Sequence, residues 1–365
     1  MIERLYIDNF RTFVNFEWHP QPLSILLGKN GTGKTILLDL LRDLQAFLMG
    51  SASCLDIFSE SSRTRWDSRN QQSIELDIRY KGGLYRYRLV IDHDEKQAGS
   101  SRVAVETLSF NGQALIAFEQ GRVRLFQDDG KEGPVFSAKT TRSGIGAVEP
   151  APENQYLAGF KEWAGCLWVL RPDPRAMDAR VERRNGLWLA ANALNFSSWY
   201  LKYLAEKPGS IFKASGALSH VLPGFEELHE QGGYLWARFG PESSASRYRF
   251  DELSDGQRAL IALYVLRYAV AGPGKIIAID EPDNYVSLRE IQPWLMEIMD
   301  LALSTKGGPQ VWLISHHPEV LDLLAVEYGF RFFREENGPS RIERFKRAGE
   351  LSASETVARG WDDAE

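Results

Sequence analysis

The stretch "LLGKNGTGKTILLDLL", residues 26–41, is an apolar run, a glycine-rich turn, and a second run with apolar residues at helical spacing. Within it, residues 28–35, "GKNGTGKT", satisfy the pattern G-x-x-x-x-G-K-[ST]. Glycines allow backbone conformations in which successive N–H groups turn toward one point, and a helix N-terminus adds partial positive charge there. Gly28, Lys29, Asn30, Gly31, Thr32, Gly33, Lys34 and Thr35 therefore predict a phosphate cradle. Lys34 would neutralise the β- and γ-phosphates of a nucleotide, and Thr35 would offer its hydroxyl to Mg2+, an ion that takes few protein ligands. A glycine-rich helix cap beside a lysine is the plainer alternative; the strand before the turn and the helix after it favour the cradle.

Outward from this stretch, residues 2–8, 13–18 and 23–27 read as strands and 34–48 as a helix, with Ile36, Leu37, Leu40, Leu41 and Leu44 on one face. From 71 to 127 the period changes to two, with turns at "KGG", "NGQ" and "DDG", which predicts an antiparallel β-meander inserted after the first helix. The polar, glycine- and proline-containing stretch at about 128–158 reads as a mobile loop or a subdomain boundary. Helices are expected at 191–206 and 209–221, strands near 234–239 and 246–250, and a long apolar helix at 256–271. Strand and helix then alternate to about 324, as parallel pairing covered by helices requires, and the end reads as a hairpin turning at Asn337-Gly338.

Three further segments carry candidate chemistry. "KIIAIDEPD", 275–283, is a buried strand ending in two carboxylates, Asp280 to assist the metal and Glu281 to orient and deprotonate an attacking water, unless the pair is only solvent-side punctuation. "LSDGQ", 253–257, opens the long apolar helix. Ser254 or Asp255 there is simply an N-cap, or Ser254 is part of a second anion site with Gly256. "VWLISHHPEVLD", 311–322, delivers Ser315, His316 and His317 at a strand end, where a histidine can hydrogen-bond a γ-phosphate.

In this order the segments resemble the ATP-binding-cassette type of ATPase, in its RecF- and SMC-like branch, whose members carry an "NF-R-x-F" stretch before the phosphate loop; here it is Asn9-Phe10-Arg11-Thr12-Phe13. The resemblance implies one α/β domain over 1–365. It would have an ABC-type P-loop core with a mixed sheet, the antiparallel insertion at 71–127 and a helical insertion at about 155–225. It implies ATP and Mg2+ as ligands, with Arg11 and residues 28–35 on the nucleotide, Thr35 and Asp280 on the metal, Glu281 as base and His316 as switch residue. It further implies a head-to-tail homodimer in which Ser254 and Gly256 face the partner's γ-phosphate. The segments "NALNFSSWYLKYLAEK" and "VLPGFEEL" resemble compact prokaryotic ATPases of anti-phage defence, including those similar to overcoming-lysogenization-defect proteins, many of which are encoded beside an effector. Two positions depart from the pattern. No glutamine among Gln120, Gln127 and Gln155 stands out as the expected metal ligand, and "EPDNYVSL" has Ser287 where a histidine is expected.

Composition narrows the remaining choices. The net charge of −6 over 365 residues argues against an all-basic nucleic-acid surface, and two cysteines are too few for a disulfide framework, so a reducing cytoplasm is expected. The first ten residues lack a signal-peptide apolar core, and the longest apolar stretch, near 259–271, is too short to span and contains Arg267, so no membrane anchor is expected. The region between the phosphate loop and residue 253 has no heptad run, which excludes long coiled-coil arms. "IDHDEK", 91–96, reads as a solvated hairpin turn in preference to a metal site, and Trp163, Trp168, Trp188 and Trp199 read as core, with an aromatic patch for a protein partner as the alternative. The arginine-bearing segments 171–184 and 330–347 read as solvated faces. In the rival reading, a RecF-like DNA-binding repair protein, these arginines would contact DNA phosphates together with Arg63 and Arg65.

Overall fold

The computed structural model describes residues 1–94, 100–182, 188–305 and 307–359. In chain order its elements begin with β1 (Ile2–Asp8), β2 (Phe16–Trp18), β3 (Leu23–Leu27), α1 (Lys34–Leu48) and α2 (Cys54–Ile57). There follow β4 (Gln71–Tyr80), β5 (Gly83–His93), β6 (Ser101–Phe110), β7 (Gln113–Glu119), β8 (Arg122–Phe126), β9 (Glu132–Ser137), α3 (Gln155–Ala164) and β10 (Leu167–Leu170). Then come α4 (Phe196–Glu206), α5 (Pro208–Val221), β11 (Phe225–Gln231), β12 (Tyr234–Phe239), β13 (Ser246–Arg249) and α6 (Asp255–Ala269). The chain closes with β14 (Ile276–Asp280), α7 (Leu288–Ala302), β15 (Gln310–Ile314), α8 (Pro318–Tyr328), β16 (Gly329–Phe333), β17 (Arg341–Arg344) and α9 (Ala353–Ala358). Two compact units result, Met1–Trp168 with Leu324–Glu365, and Val169–Leu323. Among the described residues no helix is long and apolar enough to cross a membrane.

The first unit holds an eight-stranded antiparallel sheet in the order β2-β1-β4-β5-β6-β7-β8-β9. The meander is thus wider than the sequence predicts. β1 pairs with β4 (Leu5 opposite Leu76), so the N-terminal strands belong to the same sheet. Every second residue of β4 from Gln72 to Ile78 is buried, as a half-covered strand requires. α3 covers this sheet with Phe160, whose ring lies 5.5 Å from that of Tyr87 and 5.3 Å from Trp163. Apart from this sheet, β3 is buried throughout and pairs in parallel with β16 (Leu26 opposite Phe330), which pairs antiparallel with β17, a mixed arrangement. Phe330 and Phe332 of β16 pack on Trp18 and Phe16 of β2, at 5.5 and 5.8 Å between ring centroids. α1 buries Leu37, Leu40, Leu41, Leu44 and Phe47 on one face, leaving Ile36 half-buried.

In the second unit β14 and β15 run parallel, Ile276 opposite Gln310 through Asp280 opposite Ile314, with all ten residues buried. Strands covered on both faces read as continuous apolar runs, and these do. α6 is buried from Arg258 through Leu266, Lys207 Nζ donates to the Ala269 carbonyl at its end (2.9 Å), and Phe196 of α4 stacks on Phe250 ahead of it (5.0 Å). Trp294 of α7 donates its indole N–H to the Leu263 carbonyl (3.0 Å).

Several expectations are corrected. The stretch 128–158 is not a plain loop. It contains β9, an exposed edge strand paired with β8 whose largely solvent-facing side chains give no period-two signal, and the start of α3. β11, "FEELHEQ", escapes notice for the same reason. The "IDHDEK" segment is not a solvated turn at its start: β5 runs through His93, which is buried and bonded to Gln72, while Glu95 and Lys96 lie outside the described residues. Trp163, Trp168 and Trp199 are core as expected, but Trp188 is exposed.

Candidate functional site

Gly28, Gly31 and Gly33 have φ of 143°, 78° and 107°, conformations closed to most side chains, and together they curl the loop between β3 and α1. A Cβ on Gly28 would run into the Phe332 carbonyl, and one on Gly33 would meet Ser340 Oγ at 2.9 Å and the Phe13 ring at 3.1 Å. Gly31 faces open space, and Lys29, Asn30 and Gly31 form an exposed apex. Thr32 Oγ1 closes the turn by donating to the Lys29 carbonyl (2.9 Å). Lys34 is only 6% exposed, and its ammonium donates to the carbonyls of Gly28 (2.6 Å) and Lys29 (3.1 Å), so the cation sits inside the curl. Gly33 caps α1 without a side chain, and the first helical turn carries no acid, which leaves that helix end open to an anion. Thr35 follows, half-buried. Beside the loop, a cleft of about 600 Å³ is walled by Lys29–Thr32 and Arg331–Glu336.

The "NFRTF" turn is rigid. Asn9 adopts φ 56° and donates to the carbonyls of Arg69 (2.7 Å) and Gln71 (2.8 Å), while its Oδ1 accepts from the Thr64 N–H (3.1 Å). Arg11, at φ 51°, donates its N–H to the Ser62 carbonyl (2.6 Å) and is exposed, its guanidinium 6.0 Å from the Phe10 ring.

In the second unit, Asp280 ends β14 with 5% exposure, and Arg171 Nε stands 4.0 Å from its Oδ2. Glu281 has φ 54°, a costly conformation for a non-glycine residue, and such strain clusters where geometry serves chemistry. Its N–H continues the ladder to the Ile314 carbonyl (2.9 Å), and Asn284 Nδ2 donates to its carboxylate (3.3 Å). Asp283 accepts from Ser315 Oγ (3.0 Å), and burial pushes its carboxyl above the ordinary range. Ser315 accepts in turn from the His317 N–H (3.1 Å), and His316 beside it is exposed.

Ser254 is the N-cap of α6 in a reciprocal box with Gln257: its Oγ accepts from the Gln257 N–H (3.3 Å), and its own N–H donates to Gln257 Oε1 (3.0 Å). Asp255 pairs with Arg175 (3.1 Å) and Arg258 (2.6 Å), and the Arg175 hydrogen bond holds its carboxyl below the ordinary range. Gly256 has no room for a Cβ, which would stand 2.9 Å from the Tyr285 carbonyl. Ser287 serves α7 in the same way, its Oγ donating to Glu290 (2.6 Å) in a capping box, so this position is used by the helix start.

Sequence reasoning missed Arg171, Arg175 and Asp283. The first two fell in the segment read as a solvated face; both are exposed as that reading expects, and they also reach Asp280 and Asp255, with Arg175 5.3 Å from the Tyr285 ring. Arg183 and Arg184 of that segment lie outside the described residues. Gln120 occupies the β7–β8 turn at φ 48° and Gln155 closes onto the Ala151 carbonyl (2.6 Å), both in the first unit.

The family model described as "AAA domain, putative AbiEii toxin, Type IV TA system" matches residues 23–322, from β3 into α8. The chain belongs to this AAA family. Its match takes in the phosphate loop, the Ser254 helix start, the Asp280 strand and the His316 loop together. No curated protein sequence matches the chain. Solved structures similar to it include the SMC head domain from Thermotoga maritima, at 13% identity, 94% of this chain, 99% of that chain and TM-score 0.48. The Smc head domain with a coiled coil and joint derived from Pyrococcus yayanosii is similar at 12% identity, 98% and 99% coverage and TM-score 0.49. The recombination mediator RecF with ATPrS is similar at 9% identity, 94% and 98% coverage and TM-score 0.42.

Proposed function

We propose that the chain binds Mg2+-ATP and hydrolyses it, and that two copies associate head to tail around two nucleotides to switch a separate effector protein in prokaryotic anti-phage defence. The observation that carries the reading is the curled loop with the buried Lys34 ammonium at an uncapped helix end, an arrangement suited to polyphosphate. On binding, Lys34 exchanges loop carbonyls for phosphate oxygens, and the N–H groups of residues 28–35 orient the chain of phosphates. Thr35 and Asp280 offer a hydroxyl and a carboxylate, the hard oxygen donors that Mg2+ prefers, and the ion when bound would offset charge on the β- and γ-phosphates. Among the described residues no group of three or more His, Cys, Asp and Glu stands together to hold a metal, so phosphate and water would supply the remaining ligands. Glu281, held by Asn284, orients the attacking water and takes its proton; His316 hydrogen-bonds the γ-phosphate.

Ser254 and Gly256 in this reading meet the γ-phosphate of the second copy, with the N-terminus of α6 facing the anion. Loss of that phosphate releases the closed dimer. The family description, with its toxin–antitoxin wording, supports a defence setting. The RecF-like alternative draws less support, because Arg171, Arg175 and Arg331 face Asp280, Asp255 and Glu343, and Arg63 donates to Asn70. Replacing Glu281→Gln tests the reading: phosphate release is expected to fall at least 100-fold while an ATP-dependent dimer accumulates in light scattering. Unchanged turnover would refute it, and a dimer that forms only on duplex DNA would favour the repair reading.

A further inference from the structure

Beside the phosphate loop, in the same unit, Arg334 is fixed by three carbonyls. Its Nε donates to Gly338 (2.9 Å), Nη1 to Gly31 at the loop apex (3.3 Å) and Nη2 to Asn337 (3.4 Å). The guanidinium carbon lies 5.6 Å from the centroid of the Trp66 ring, so one planar cation separates an indole from the apex of the loop. Trp66 is 48% exposed, although an indole is among the side chains that gain most from burial. Its backbone neighbours are held on both sides. The Thr64 N–H donates to Asn9 Oδ1 (3.1 Å), and the Asp67 N–H to the Thr64 carbonyl (3.1 Å), while the Asp67 carboxylate pairs with Arg69. A half-exposed indole on a hydrogen-bonded stretch of backbone therefore stands next to the proposed triphosphate site, with the Arg334 guanidinium over its ring.

We propose that Trp66 is the nucleobase platform of this site: the base of a nucleoside triphosphate whose phosphates occupy residues 28–35 stacks on the indole, and Arg334 keeps the ring and the loop apex in register. The proposal rests on the reading of residues 28–35 as a triphosphate loop and adds the element that distinguishes a nucleotide from a bare polyphosphate. Stacking uses the π-face that every base presents, so it contributes affinity with little choice among bases. Trp66 is a binding residue in this account, and Arg334 a positioning residue.

The test is titration calorimetry of the full chain, wild type and Trp66→Ala, with ATP, GTP and inorganic tripolyphosphate, all with Mg2+. Trp66→Ala is expected to weaken ATP and GTP about ten-fold or more while leaving tripolyphosphate within two-fold, and Trp66→Phe to recover most of the loss. Unchanged ATP affinity in Trp66→Ala overturns the proposal, as does an equal loss for all three ligands or a loss confined to ATP. A wild type that binds neither nucleotide nor tripolyphosphate refutes the phosphate-loop reading, an outcome distinct from failure of the platform alone.

Discussion

Alanine at Gly33 offers a worked measure of how tightly the phosphate loop is built into its surroundings. The residue has φ 107°, and a Cβ there would stand 2.9 Å from Ser340 Oγ, 3.1 Å from the Phe13 ring and 3.2 Å from Thr12 Oγ1. The left-handed backbone alone costs about 1–2 kcal/mol in a residue with a Cβ. Forcing the extra methyl group between packed neighbours adds about 1–3 kcal/mol, part of it from parting the Ser340–Thr12 hydrogen bond of 2.8 Å. Gly33→Ala is therefore expected to lose about 2–5 kcal/mol. Gly31 supplies the control, because its φ of 78° carries the backbone cost but a Cβ there has nothing within 4 Å, so Gly31→Ala should lose only about 1–2 kcal/mol. Urea denaturation of both variants, without nucleotide, measures the difference. Equal losses at the two positions would refute the claim that Ser340, Phe13 and Thr12 clamp the loop.

Other perturbations separate local structure from function. Ser254→Ala should cost about 1 kcal/mol in ligand-free denaturation through the lost N-cap. Ser254→Asp, which can still cap α6, should keep stability yet abolish the ATP-dependent dimer by setting a carboxylate against phosphate; a dimer of normal strength would contradict the paired-site reading. Arg171→Ala should lower the Mg2+ concentration for half-maximal ATP turnover by about 2- to 5-fold, the size expected of an exposed guanidinium competing for Asp280; an unchanged Mg2+ profile would remove Arg171 from that role. His93 is lowered below its ordinary pKa of 6.5, first by burial and then by Arg63, with Glu60 and Asp92 acting in the opposite sense. Its contribution to stability is present above pH 6.5 and lost as pH falls through the lowered folded value. His93→Gln should therefore flatten the loss of thermal stability between pH 7 and pH 5, and a variant as acid-sensitive as wild type would refute the assignment.

Much of the site was legible because its physics is local. The loop 28–35 announces itself through glycines that must adopt positive φ and a lysine that its own carbonyls can hold, and β14 and β15 through unbroken apolar runs ending in Asp280 and Ser315. The N-cap alternative at Ser254 was legible too, and the structure realises it as a capping box. What escaped was non-local or unpatterned. Nothing in the sequence says that Arg171 reaches Asp280 or that Arg175 reaches Asp255, since both depend on tertiary placement. β9 and β11 hide because edge strands with exposed faces lose the alternation that betrays a half-buried strand. His93 was misread because a polar residue near a turn reads as solvated until its ring is found hydrogen-bonded to the buried Gln72 side chain of the neighbouring strand.

The most direct test of the account is calorimetry of ATP with Mg2+ on wild type and Lys34→Ala. The Lys34 ammonium, buried and held by the Gly28 and Lys29 carbonyls, is the one side-chain cation inside the curl of the loop among the described residues, so its removal should weaken ATP at least 100-fold while the protein stays folded. Equal ATP affinity in the two proteins, or no heat of binding in the folded wild type, would contradict the claim that this loop grips triphosphate.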